Sequence, residues 1–235
     1  MIPLPISDEN RRVRLPKVTI AIILVNVLVW LFELSHGVDL AVLDYGLIPG
    51  WLVHGVRDGL LQLPSGGLVH LHQEVPVPLT LFTSMFMHGG WLHIIGNMWF
   101  LWIFGDNVED AMGPVRYLFF YLVCGLAAAG AQIAAGPDSM IPMVGASGAI
   151  AGVLGAYALL YPRARVRCIW ILIIFITFIR VPAWLLLGLW FIAQIIFPAQ
   201  GVAWMAHVGG FVTGVVLVKL LAHQRPKAIW PAQAS

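Results

Sequence analysis

CIWILIIFITFI, residues 168–179, decides how this chain is laid out. It is apolar throughout apart from Thr177, yet it is only 12 residues long. A helix that crosses the hydrocarbon core needs about 20 apolar residues, with a range of roughly 17–25. A run this short is re-entrant, interfacial or packed on protein. Its flanks agree: Arg163, Arg165 and Arg167 precede it and Arg180 follows it. Positive charge at both ends keeps both ends on the cytoplasmic side. Were the run to cross, every element after it would be inverted.

Composition sets the class around that run. Of 235 residues, 60% are hydrophobic and 10% are charged. Soluble domains carry about 25% charged residues. The chain is therefore expected to be one compact membrane domain. The net charge of +2 comes without a long basic run, so no nucleic-acid partner is implied. Cys124 and Cys168 are far apart in apolar surroundings and read as small buried hydrophobes.

Working outward, Val18–Leu34 is the first candidate span. It follows Arg11, Arg12, Arg14 and Lys17, as the apolar part of a signal peptide would, but it is long for one and no A-x-A-like site follows. Gly89–Gly105 and Tyr117–Gly136 are the second and third, separated by Asp106, Glu109, Asp110, Gly113 and Pro114. Met140–Pro162 is the fourth. The charge-free stretch from Val181 to Val218 is too long for one crossing, and Pro198-Ala199-Gln200-Gly201 divides it into Pro182–Phe197 and Val202–Leu221.

The expected fold class is thus an all-α membrane protein, a bundle of six transmembrane helices with both termini cytoplasmic. Residues 1–17 form an N-terminal tail, 18–221 the membrane domain and 222–235 a C-terminal tail. The first outer loop, Ser35 to Leu79, is too long to be structureless in a compact domain. It is expected to lie partly in the membrane interface, with Val75-Pro76-Val77-Pro78 as extended chain leading into Thr80.

Polar residues inside spans are costly and mark function by default. Gly145-Ala146-Ser147-Gly148 opens span four. Glycines leave the Ser147 hydroxyl unshielded, although Ser147 alone could equally be a helix cap or a packing residue. His207 opens span six within Ala206-His207-Val208-Gly209-Gly210, and Gly210-x-x-x-Gly214 permits close approach of a neighbouring helix. Span four carries Gly148-x-x-x-Gly152 to face it. Alone, His207 could be a buried histidine bonded to backbone. His88, His93 and Asn97 open span two, and His93 and Asn97, four apart, share one helical face. There is no HExxH and no Cys, Asp or Glu within that part of the helix, so neither a metal nor another cofactor is implied.

Topology weighs these clusters together. With residues 168–179 not crossing, spans two, four and six all run from outside to inside. Ser147, His207, His93 and Asn97 then lie at one depth. A nucleophile, a base and hydrogen-bond donors form an acyl-transfer set. No acid is placed near His207, and nothing orients Asp138 toward it, so the reading is a Ser–His dyad.

His93–Asn97 (HxxxN), Gly145–Gly148 (GASG), Ala206–Gly214 (AHxxGxxxG), and Val108-Glu109 with Gly113 resemble the rhomboid family of intramembrane serine proteases. The resemblance runs from span one to span six. It implies a rhomboid-like bundle with Ser147 as nucleophile and His207 as general base. It implies an oxyanion hole of His93, Asn97 and the Ser147 backbone N–H. Gly145 keeps Ser147 open, His88, Gly148, Ala151 and Gly210 shape the site, and Pro182–Phe197 is a movable gate. Two positions depart from the pattern. Ala151 stands where some members stack a ring on the histidine. Trp51 and Arg57 are separate, where some members have a Trp-Arg pair in the first loop.

The resulting expectation is a serine endopeptidase acting on transmembrane protein substrates within the lipid bilayer of a bacterial plasma membrane, its site near the outer face. A non-catalytic rhomboid-like escort of membrane clients is the alternative. A transporter would need polar residues through the depth of the spans, and their inner halves have almost none.

Overall fold

A computed structural model describes residues 3–10, 14–62, 66–172, 175–197 and 203–222. In chain order these form β1 (Leu4–Asp8), α1 (Lys17–His36), α2 (Val38–Tyr45), α3 (Pro49–His54), β2 (Asp58–Gln62) and β3 (Leu68–His72). A 3-10 turn at Val77–Leu79 leads into the single-turn α4 (Thr80–Thr83). Then come α5 (Trp91–Met112), α6 (Pro114–Ala135), α7 (Ser147–Leu160), β4 (Arg165–Leu172), β5 (Phe175–Pro182), α8 (Ala183–Ile196) and α9 (Trp204–Leu221). The break expected at Pro198–Gly201 and most of the C-terminal tail lie outside the described residues.

Three helices, α1, α6 and α9, are long and apolar enough to cross a membrane. Their apolar surface faces outward: on α1, Leu24, Leu28 and Leu31 are exposed. The buried stripe of α1 is Thr19, Ile22, Asn26, Trp30 and Glu33, at helical spacing. A polar group inside a helical bundle can find a partner that lipid cannot provide. Asn26 donates back to the Ile22 carbonyl at 2.7 Å. Glu109 of α5 receives the start of α1, accepting from the Val18 N–H at 2.9 Å and from the Thr19 N–H and hydroxyl at 2.8 Å. These are N–H groups that a helix leaves unpaired at its first turn, and a carboxylate suits the positive end of its dipole.

Two helix boundaries differ from expectation. Span two extends to Met112 instead of ending at Gly105, because Glu109 has work to do at the start of α1 and is buried there. Span four begins only at Ser147 and has 14 residues, about 21 Å of helix. It can be short because Gly148–Tyr157 are all buried, so protein rather than lipid surrounds it.

Glycine sets how closely α7 and α9 approach. A Cβ at Gly210 would run into the Gly148 carbonyl, and one at Gly214 into the Gly152 carbonyl. The other side of α7 is as tight against α6: a Cβ at Gly148 would lie 2.6 Å from Ala128 Cβ. Backbone-to-backbone packing of this kind is how helices adhere where apolar burial gives no advantage over lipid.

The described part of residues 168–179 is strand, not helix. β4 and β5 make an antiparallel hairpin in which Arg167 faces Arg180 and Ile169 faces Phe178. β1 completes a three-stranded sheet, order β1-β4-β5, with Leu4 opposite Ile169. Ile, Phe and Thr favour a pleated, half-buried surface, and the paired strands satisfy their own backbone groups. The N-terminal segment, read from sequence as a tail, is therefore partly a strand. The all-helical reading misses this sheet and the β2–β3 hairpin.

The first loop is built, not slack. Leu43, Ile48, Trp51 and Val77 form a separate small core. Gln73 donates to the carbonyls of Leu43 and Gly46. Leu47 and Met143 exchange backbone hydrogen bonds of 3.0 and 2.7 Å, and the Gly50 N–H reaches the Ser139 carbonyl, so the loop is stitched to the segment entering α7. Val77–Leu79 is a 3-10 turn where extended chain was expected. Pro78 sits near its start, where a missing N–H costs nothing.

Asp8 joins the sheet to the helices. Its carboxylate accepts from Tyr157 Oη at 2.5 Å and Asn107 Nδ2 at 2.9 Å. Burial pushes its pKa from 3.8 to about 6, against the Tyr157 hydrogen bond and with help from the Asp106 charge. The folded state thus holds the proton more tightly than the unfolded chain. That contribution is fully present below 3.8 and is lost as pH rises through about 6. Hydrogen exchange of the β1 amides, corrected for intrinsic rates, is expected to show less protection at pH 7.5 than at pH 5. Asp8→Asn should remove the difference; its persistence would assign it to another group.

Gly214→Val, in turn, is expected to destabilise the bundle by about 1–3 kcal/mol, the usual cost of overpacking. Thermal unfolding of the purified protein in detergent checks this, and an unchanged midpoint would mean that α7 and α9 can part freely.

Candidate active site

Ser147 is the first residue of α7 and His207 lies in the first turn of α9. The glycine contacts between the two helices set their N-terminal ends side by side. Ser147 Oγ and His207 Nε2 are 2.8 Å apart. His207 is buried.

The ring is oriented from its other side. His207 Nδ1 lies 2.7 Å from Oε1 of Gln194, on α8. A carbonyl oxygen can only accept, so Nδ1 carries the proton and Nε2 presents a lone pair to the Ser147 hydroxyl. Trp190, one turn earlier on α8, places its ring 5.8 Å from the imidazole. Ala151, four residues after Ser147, offers no ring, and α8 supplies the support instead.

Sequence reading missed Gln194. The signal was available: it is the one amide or charged side chain between Ala183 and Ile196. The Ala206 N–H donates to the Ala203 carbonyl at 3.0 Å and shares that bond with Gln132 Oε1 of α6 at 3.3 Å, which ties the turn that bears His207 to α6.

His93 closes the site from α5. Gly145 has φ +124°, and a Cβ there would lie 2.6 Å from His93 Nε2. Only glycine accommodates both that backbone conformation and the ring. The Gly89 N–H donates to His93 Nδ1 at 3.3 Å, which leaves the proton on Nε2, the nitrogen turned toward Gly145. His88 packs edge-on against His93 with ring centres 5.1 Å apart. The His88 backbone N–H is held by the buried Glu33 carboxylate of α1 at 2.8 Å. Asn97, one turn beyond His93, is buried and its Nδ2 has no hydrogen-bond partner among the described residues.

Beside Ser147 lies a cavity of about 20 Å³, bounded by Ser84, Met143, Gly145 and Ala206 among others. A water molecule needs about 10–15 Å³ on this measure. Asp138 is not near the imidazole of His207; it pairs with His54 at 2.8 Å. Chemically, the arrangement offers a hydroxyl within hydrogen-bond reach of an imidazole, a second imidazole against Gly145, and room for one water.

The Rhomboid domain family matches residues 77–224. The chain belongs to the rhomboid family. It is 28% identical over 171 residues to "Rhomboid protein 1, mitochondrial" of Saccharomyces cerevisiae, covering 66% of this chain and 46% of that protein. It is 27% identical over 183 residues to "Rhomboid-like protein 11, chloroplastic" of Arabidopsis thaliana, covering 71% and 61%. A shorter stretch of 76 residues is 41% identical to "Rhomboid protease GluP" of Bacillus subtilis, covering 32% and 14%. The matched stretch spans about half the length of the first two relatives and 14% of the third. As a rhomboid chain with apolar helices exposed on its outer surface, it is an integral membrane protein.

An unpaired buried donor costs stability, so its removal should not. Asn97→Leu is expected to leave the rhomboid bundle at least as stable to heat. The same variant should slow labelling of Ser147 by a fluorophosphonate roughly 10²–10³-fold, the range for a lost oxyanion donor. Labelling at the wild-type rate would show that Asn97 does not serve Ser147.

Proposed function

We propose that this rhomboid chain is a serine endopeptidase that hydrolyses peptide bonds of transmembrane protein substrates within the bilayer. The observation that carries the reading is the 2.8 Å approach of Ser147 Oγ to a His207 Nε2 whose lone pair is free. Ser147 attacks the scissile carbonyl while His207 takes its proton. The oxyanion that forms is met by His93 Nε2–H, Asn97 Nδ2 and the Ser147 backbone N–H. His207 then returns the proton to the leaving amine, and an acyl-enzyme remains on Ser147. Water, deprotonated by His207, attacks that ester and frees the serine.

In the same proposal α1, α5, α6, α7, α8 and α9 are six crossings, with both termini cytoplasmic and β4–β5 on the cytoplasmic side. The arginines flanking the hairpin support this orientation. The site then opens near the outer face of a bacterial plasma membrane, where water can reach it and a single-span substrate can unwind.

Gel-based cleavage of a model transmembrane substrate in detergent tests the assignment. Wild type is expected to cleave, and Ser147→Ala and His207→Ala to fall to background. Undiminished cleavage by Ser147→Ala would falsify it. A folded wild type that neither cleaves nor reacts with a fluorophosphonate would favour a client-binding role instead.

A further inference from the structure

The geometry points to Gln194 as the positioning residue of His207, the third member of a Ser147–His207–Gln194 relay. This rests on the proposed peptidase reading and assigns its missing support. A serine's base needs a defined tautomer, with its proton on the nitrogen remote from the hydroxyl. In most such sites a carboxylate fixes it. Among the described residues no Asp or Glu is bonded to His207, and the oxygen of Gln194 takes that place at 2.7 Å.

A neutral acceptor fits these surroundings. A carboxylate on α8, a helix with buried Leu186 and Leu187 and exposed Ile192 and Ile195, would have to be desolvated in a bilayer. An amide oxygen can accept the Nδ1–H bond without that cost. When Nε2 takes the serine proton, the imidazolium charge spreads to Nδ1–H, and the bond to Gln194 strengthens as charge develops. Gln194 therefore contributes more in the transition state than at rest. It also ties the base to α8, where Trp190 covers the same ring. No bond to the substrate is implied, so its effect should fall on turnover, not binding.

The test compares Gln194→Met, which keeps shape but loses the acceptor, with Gln194→Glu, which keeps an acceptor and adds charge. Gln194→Met should lower kcat about 10- to 100-fold, part of the roughly 10²–10⁴-fold that general-base catalysis supplies, with KM unchanged. Labelling of Ser147 by a fluorophosphonate should slow by the same factor. Gln194→Glu should recover much of that rate and move the acidic limb of the pH–rate profile to higher pH, since a carboxylate favours the protonated ring. A merely structural role would lower the thermal stability of Gln194→Met and leave its acidic limb where the wild type has it. The inference is overturned if kcat and labelling of Gln194→Met stay within about twofold of wild type while Ser147→Ala is inert. If Gln194→Met does not fold, an unmoved acidic limb in Gln194→Glu overturns it. Cleavage by Ser147→Ala would instead sink the peptidase reading itself.

Discussion

Everything at the site depends on how closely two backbones meet. α7 and α9 touch through Gly148 and Gly152 on one side and Gly210 and Gly214 on the other. Ser147 and His207 each stand beside one of these glycines in sequence, or within one turn of it. Any side chain at the contact would separate the helices by more than the 2.8 Å between hydroxyl and imidazole can absorb. In lipid, this packing cannot rest on expelling water from apolar surface. It rests on dispersion between closely fitted atoms, and small residues are what permit the fit. The same glycines that hold the bundle therefore fix the distance between Ser147 and His207.

A second constraint is that polar groups buried in such a bundle need partners. Most have them, and the pairs tie elements that are remote in sequence. Glu109 caps α1, Glu33 holds the backbone before α5, and Gln132 reaches the first turn of α9. Each pair immobilises the entry of a helix that carries or neighbours a site residue. Some buried polar atoms find no partner among the described residues, and two of them, Asn97 Nδ2 and His88 Nε2, lie on either side of His93 in sequence.

Much of this was legible in sequence because it follows from spacing. GxxxG at Gly210–Gly214 against Gly148–Gly152 foretold the α7–α9 contact, and the i, i+4 relation of His93 and Asn97 foretold their common face. The shortness of residues 168–179 argued against a transmembrane helix there, and their described part is a strand pair. Their form did not follow, because periodicity cannot separate a short apolar strand from a helix without knowing its pairing partner. That partner is partly β1, more than 150 residues away in sequence. The acids of α5 were misleading in a similar way. Charge read as a helix end, whereas Glu109 is kept inside the helix by a partner on another element. Trp51 and Val77 likewise meet only in the folded loop.

Gln194 shows where spacing stops helping. No motif surrounds it, and its neighbours Ile192, Ile195 and Ile196 face outward. What distinguishes it is cost: an amide in an otherwise apolar helix forgoes favourable burial unless something uses it. His207 uses it. Ala151, which leaves the imidazole without a ring from α7, and Gln194, which bonds it from α8, are two halves of one solution. A ring on α7 would hold the imidazole by stacking alone and leave its tautomer free. A bond to Nδ1 from α8 fixes the tautomer and links His207 to a helix outside the glycine-packed pair. The His207 ring is thus held across a helix interface that is less tightly built than the one between α7 and α9.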